Sequence, residues 1–282
     1  MTIRNILAAC LLATGLQSVA QEKVEMLLWD QNHAEMSEAK TEAIRSSDFT
    51  RDPAITVYLP GRPNGKAIIM CPGGGYGWEA MDHEGHAMAQ WFNAQGIAYV
   101  VLKYRLPQGN HEIPLSDAEQ AVRLVRNHAS EWGVNPSKIG IMGASAGGHL
   151  ASTLATHYSG NETRPDFQVL FYPVITMDPS YTHGGSRENL LGKNPSKELQ
   201  DKYSNELQVN SSTPKAFIML SSDDTAVPVA NGVNYYMALL KNNVSASLHA
   251  YPTGGHGWGY DDGFLYKSQW MEELEKWLRE EI

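Results

Sequence analysis

Ser145 stands in Gly143-Ala144-Ser145-Ala146-Gly147, a G-x-S-x-G whose residue types suit a nucleophile held on a sharp turn between strand and helix. Such a turn strains the serine backbone and lifts Oγ clear of the sheet. Gly143 and Gly147 flank it because a Cβ at either place would collide with the neighbouring strand or helix. A helix starting there aims free N–H groups and its positive dipole end at the point where an oxyanion would form. The hydroxyl needs a base, and the base needs an orienting carboxylate. His256, in Thr253-Gly254-Gly255-His256-Gly257-Trp258, is the candidate base. Asp223 and Asp224, in Ser222-Asp223-Asp224-Thr225-Ala226-Val227-Pro228, are the candidate carboxylates, and spacing alone does not separate them. A third stretch, Pro72-Gly73-Gly74-Gly75-Tyr76-Gly77-Trp78, has three successive glycines that let backbone N–H groups approach a ligand closely. No Gly-Lys-Ser/Thr follows it, which weakens a nucleotide-loop reading.

The elements that must position these residues alternate regularly. Apolar runs at 23–29, 54–60, 66–71, 97–106, 138–142, 167–174, 214–221 and 245–251 read as strands. A helix ending at Gly96, an amphipathic helix over 114–133, the helix after Ser145, and helices over 229–240 and 264–282 lie between and after them. This alternation predicts an α/β fold with a mostly parallel central sheet and helices on both faces. The glycine loop, the serine, the aspartates and the histidine then each follow the C-terminal end of a strand. Residues 176–209, after the sixth strand, are polar and irregular and read as a small lid-like insertion.

The chain has 282 residues and a formal net charge of −9 without a basic cluster, which argues against a nucleic-acid partner. Residues 1–20 read as a signal peptide: Arg4, an apolar run from Ile6 to Leu16, then Ser18-Val19-Ala20 as the cleavage site. The expectation is export to the periplasm or the extracellular space, with 21–282 as a single catalytic domain and no membrane span. Leu7-Ala8-Ala9-Cys10 also resembles a lipoprotein box, but the apolar run continues past Cys10, which favours soluble export. The mature chain then keeps Cys71 alone, read as a buried inert thiol.

With these motifs in hand, the sequence resembles the acetylxylan-esterase and xylan-esterase-like branch of the α/β-hydrolase superfamily. The resemblance runs from about Lys66 onward and rests on PGGGY (72–76), HEG (83–85), VLKYRL (101–106), GASAGGHLASTLATH (143–157), RPDF (164–167), SDDTAVP (222–228) and GGHGWG (254–259). It implies a secreted serine carbohydrate esterase that removes acetyl or similar groups from plant polysaccharides, with no metal or organic cofactor. The acid in D-x-x-V-P maps onto Asp224, with Asp223 as the alternative. The oxyanion donors carry over as Gly74 and Gly75 with the N–H of Ala146. Pro72 replaces the histidine of the usual H-G-G-G, so a role for that histidine does not carry over.

Three aromatic residues, Tyr76, Trp78 and Trp258, flank the expected site and could stack on sugar rings, giving an acylated polysaccharide or oligosaccharide as partner. His83 and His86 with Glu79, Asp82 and Glu84 could suggest a metal, but the H-E-x-x-H pattern is missing, and they read better as acids at a helix N-terminus beside solvated histidines. Feruloyl esterases share every motif and would differ in pocket size. A prolyl-oligopeptidase-like peptidase shares the elbow and D-x-x-V-P but would carry a propeller, for which 282 residues leave no room. An inactive hydrolase-fold binding protein would have lost Ser145, Asp224 or His256. Oligomeric state is not written in the sequence.

Overall fold

The computed structural model describes residues 22–29 and 53–282. The expected signal peptide with its Cys10 lies outside the described residues, as does most of the polar segment between the first two strands.

Among the described residues eight strands form one sheet: β1 (Glu22–Leu27), β2 (Ala54–Leu59), β3 (Gly65–Cys71), β4 (Ala98–Lys103), β5 (Val134–Ala144), β6 (Phe167–Phe171), β7 (Lys215–Ser221) and β8 (Ala246–Tyr251). Their order is β1-β2-β4-β3-β5-β6-β7-β8. Each neighbouring pair from β4 to β8 is parallel, while β2 is antiparallel to both β1 and β4. The helices are α1 (Ala89–Ala94), α2 (Glu112–Asn127), α3 (Ser145–His157), α4 (Gly184–Leu191), α5 (Lys197–Lys202), α6 (Ala230–Lys241) and α7 (Lys267–Glu280). Among the described residues no helix is long and apolar enough to cross a membrane.

Strand periodicity divides the core into two layers. Along β3, Ala67, Ile69 and Cys71 join the apolar cluster that holds Val122 of α2, Leu150 of α3 and Tyr235 of α6. Ile68 and Met70 point the other way, into the cluster of Phe92 from α1 and Trp270, Leu274 and Trp277 from α7. Strands buried on both faces read as near-continuous apolar runs, as β3, β4, β6, β7 and the second half of β5 do, whereas β1, β2 and β8 are only partly buried. Cys71 sits fully buried at the end of β3, and burial pushes its thiol pKa up, out of reach of ordinary thiol chemistry.

β4 and β5 lie on opposite sides of β3. The connections leaving β3 and β5 therefore diverge to opposite faces, and a crevice opens at the C-terminal ends of these two strands. The glycine loop after β3 and the serine after β5 both fall in it.

Two local expectations differ from the structure. Strand β5 begins at Val134, before Pro136, because a register shift between Gly65 and Ala67 absorbs the proline stretch. The segment 176–209 is partly helical rather than irregular. His183 Nδ1 accepts the Ser186 N–H to start α4, and Ser196 Oγ accepts the Leu199 N–H to start α5. Both helices are too short to show a period in sequence.

The segment is fastened from beneath. His149 of α3 donates from Nε2 to the Tyr203 carbonyl at 2.8 Å, while its Nδ1 pairs with the Tyr76 hydroxyl at 2.9 Å. The Asn205 amide donates to the Ser152 and Thr153 hydroxyls. Burial pushes His149 down to about 4. Its folded pKa is below its unfolded value of about 6.5, so the unfolded chain takes the proton first as pH falls. The stability contributed by neutral His149 is present above about pH 6.5 and is lost as pH falls towards 4, a loss on the order of 3 kcal/mol. The imidazole resonances of His149 are expected to stay fixed from pH 8 to pH 5; ordinary titration near 6.5 would contradict this.

Candidate active site

Strand β5 runs directly into α3, and Ser145 is the junction. Its φ is +53°, a left-handed conformation that costs a non-glycine residue roughly 1–3 kcal/mol and persists only where surroundings enforce it. Here they do. A Cβ on Gly147 would stand 2.0 Å from the Cys71 carbonyl oxygen, and one on Gly143 would stand 2.1 Å from the Gly147 carbonyl oxygen. The helix start is thus pressed against the end of β3, where only glycine fits.

His256 Nε2 lies 2.8 Å from Ser145 Oγ, and His256 Nδ1 lies 2.7 Å from Asp224 Oδ2. The other Asp224 oxygen accepts the Ala226 and Val227 N–H groups, both at 2.9 Å. The Asp224 side chain is almost wholly buried, whereas His256 keeps an open edge. Asp223 turns away. Its carboxylate accepts the Gly254 N–H at 3.2 Å and the Gly255 N–H at 2.8 Å, bracing the loop that carries His256. The Gly255 N–H holds the Asp223 carboxyl below the usual range. A serine, an imidazole and a buried carboxylate in this line can take a proton from Oγ, hold the resulting imidazolium and return the proton.

The glycine loop faces the same space. Gly74, Gly75, Trp78, Ala80, His83 and Glu84 line a cavity of about 400 Å³ together with Ser145 and His256. The Gly73 N–H is committed to Glu84 Oε2 at 2.8 Å. The Gly74 carbonyl accepts the Gly77 and Trp78 N–H groups, and the Gly75 carbonyl accepts the Asn189 amide at 2.8 Å. With its carbonyls held this way, the loop keeps the Gly74 and Gly75 N–H groups without a protein acceptor among the described residues. Ala146 lies in the first turn of α3, where N–H groups have no intrahelical acceptor.

Two of the three aromatic expectations are corrected. Tyr76 is 2% exposed, with its hydroxyl tied to His149, and Trp258 is 4% exposed, donating to Ser221 Oγ and stacked on Phe264. Each finds more apolar contact and a polar partner inside than at the rim, so neither presents a ring to the cavity. Trp78 is 60% exposed and borders it.

The acidic cluster is also corrected. Residues 81–85 form turns, and helical structure begins only at His86, so His83 and His86 do not share a helix face. His86 pairs with the Tyr58 hydroxyl, and His83 borders the cavity. Glu79 is not solvated: it accepts the Tyr104 N–H, and burial pushes its carboxyl up to about 8. Glu84 is 3% exposed and joins three loops. One oxygen accepts the Gly73 N–H and the other accepts the Tyr172 hydroxyl at 2.7 Å; that hydroxyl accepts the Gly259 N–H at 2.8 Å. The Tyr172 ring packs edge-on against His256, with centroids 4.8 Å apart. Nothing in the residue types marked this role, because an acid between two histidines looks like surface.

Glu84→Ala would strand the Gly73 N–H and the Tyr172 hydroxyl away from water, at about 1–3 kcal/mol each. Its melting temperature is expected to fall by roughly 5 °C or more, and ester turnover by about ten- to a hundredfold as the two loops lose registry. Tyr172→Phe, which leaves the Gly73 bond intact, should show a smaller loss of both. Calorimetry and 4-nitrophenyl acetate kinetics on the two variants check this.

The chain matches the family model described as BD-FAE over residues 55–239. It is 45% identical over 229 residues to an acetylxylan esterase of Xylanibacter ruminicola, covering 80% of this chain and 48% of that protein. It is 36% identical over 204 residues to endo-1,4-beta-xylanase B of Butyrivibrio fibrisolvens, covering 67% of this chain and 32% of that protein. The chain thus spans about half the length of the first of these curated relatives and about a third of the second. The crystal structure of an acetyl ester-xyloside bifunctional hydrolase from Caldicellulosiruptor lactoaceticus superposes with a TM-score of 0.80 at 37% identity, covering 91% of this chain and 95% of that one. A strand-to-helix elbow in a crevice of a mostly parallel sheet, matched along most of the described chain, makes this protein a member of the BD-FAE family, within the acetylxylan-esterase-like α/β-hydrolases.

Proposed function

We propose that the chain is an exported serine carbohydrate esterase that removes acetyl or similar acyl groups from plant polysaccharides such as xylan. The observation that carries this reading is the hydrogen-bonded line from Asp224 through His256 to Ser145 at the floor of a cavity bordered by Gly74 and Gly75. The names of its relatives supply the substrate class. Residues 21–282 act as one catalytic domain, and 176–209 shape the cavity through His183, Gly185 and Asn189.

In the proposed reaction Ser145 Oγ attacks the ester carbonyl while His256 Nε2 takes its proton. The Gly74, Gly75 and Ala146 N–H groups hold the oxyanion. The carbon–oxygen bond to the sugar breaks as His256 returns the proton to the departing hydroxyl. Water, deprotonated by His256, then releases the carboxylic acid from the serine ester. A cavity of about 400 Å³ beside an exposed tryptophan also has room for an aromatic acyl group, which keeps a feruloyl ester as the second reading.

Acetate release from acetylated xylan, with Ser145→Ala as the blank, tests the first reading. Hydrolysis of methyl ferulate without acetate release would move the assignment to the second. Inactivity on both and on 4-nitrophenyl acetate would overturn the esterase reading.

A further inference from the structure

His183 closes the cavity on the side contributed by the segment after β6, and none of the proposed steps uses it. Its Nδ1 accepts the Ser186 N–H at 3.1 Å and stands 2.8 Å from Ser186 Oγ. A ring nitrogen that accepts an N–H carries no proton, so the imidazole is the neutral tautomer with its hydrogen on Nε2. Burial, and after it the neighbouring His256, hold its pKa below the ordinary histidine value, so the neutral form persists at neutral pH. Nε2 has no protein partner among the described residues and is not sealed from solvent.

The ring is fixed in place from two directions. Ser186 sets its orientation, and Asn189 of the same helix clamps α4 to the Gly75 carbonyl. A methyl group built on Gly75 would come within 3.5 Å of His183 Cε1, so the ring rests beside the glycine loop. His183, Ser145 and His256 line the same cavity, so a sugar whose ester carbon sits at Ser145 lies within the space that His183 borders. A sugar offers ring and hydroxyl oxygens there. A 4-nitrophenyl group offers an aromatic face, with its weakly accepting nitro oxygens at the far end of the ring.

We propose that His183 is a specificity-determining residue of this site: its Nε2–H donates to an oxygen of the sugar that bears the ester, and so selects carbohydrate esters over simple aryl esters. The proposal rests on the esterase reading given above.

His183→Asn separates this role from that of helix cap. Asparagine is a good N-cap and its oxygen can still receive the Ser186 N–H, but it cannot reach into the cavity. His183→Ala removes both. Singly acetylated xylotriose and 4-nitrophenyl acetate are the paired substrates. The asparagine variant is expected to lose about five- to tenfold in kcat/KM on the sugar ester, mainly through KM, as for one neutral hydrogen bond. Its loss on the nitrophenyl ester should be clearly smaller than on the sugar ester, and its melting temperature should hold; the alanine variant should lose the sugar preference and also melt lower. Unchanged kinetics on the sugar ester, or equal losses on both substrates, would overturn the proposal while leaving the esterase reading intact. A wild-type protein that cleaves the nitrophenyl ester but no acetylated sugar would overturn the carbohydrate reading, and His183's role with it.

Discussion

Ser145→Ala is expected to lower ester turnover by about 10⁴- to 10⁶-fold, because nucleophile, base and carboxylate act as a unit. The effect should be confined to chemistry. The Oγ atom bonds His256, which keeps an open edge to solvent, so its loss strands no buried partner. The alanine inherits the same positive φ, and the strain of the elbow is unchanged. The melting temperature should therefore stay within a degree or two, the response expected where no buried contact is lost. A fluorophosphonate should label the wild-type protein at Ser145 and leave the variant unlabelled, read by peptide mass spectrometry. Turnover above about one per cent of wild type in the variant would refute Ser145 as the nucleophile.

The second large effect is expected at Asp224→Asn, at about 10³- to 10⁴-fold in kcat. The reason lies in the loop. One Asp224 oxygen already receives two N–H groups, from Ala226 and Val227. An asparagine would keep its carbonyl on those donors and turn its NH₂ towards His256 Nδ1. The imidazole would then carry its hydrogen on Nε2, facing Ser145, and could no longer accept the serine proton. Asp223→Asn should cost no more than about tenfold, because that side chain accepts the Gly254 and Gly255 N–H groups on separate oxygens, and the amide oxygen would keep the shorter bond, from Gly255. Steady-state kinetics on both variants decide the matter: a larger loss at Asp223 would reverse the assignment.

Much of this architecture was written in the order of residues. Strands buried on both faces must be apolar throughout, so β3 to β7 stand out, and the alternation of strands with helices sets a mostly parallel sheet. The elbow is equally local. Gly143, Ser145 and Gly147 lie within a few residues of one another, and a Cβ on Gly143 would meet the Gly147 carbonyl; the contact that reserves Gly147 for glycine is with Cys71 at the end of β3. That His256 and an aspartate follow strand ends was also readable, since a parallel sheet gathers those ends along one edge.

What the sequence could not decide were contacts between segments far apart along the chain. Asp223 and Asp224 are neighbours in the same turn, and only the path of the 253–259 loop determines that Asp224 lies 2.7 Å from His256 while Asp223 braces the glycines. Tyr76 and Trp258 sit beside functional motifs, but a ring's burial depends on what packs over it, and His149, Ser221 and Phe264 take both rings into the interior. Glu84 and His183 carry no local signature at all. Each becomes part of the site because the fold brings it to the crevice between β3 and β5, where Tyr172, Gly73 and Ser186 fix its hydrogen bonds. Local chemistry and periodicity determine elements and motifs; the identity of a side chain's partners is a property of the closed structure, because burial and hydrogen-bond direction exist only once distant segments meet.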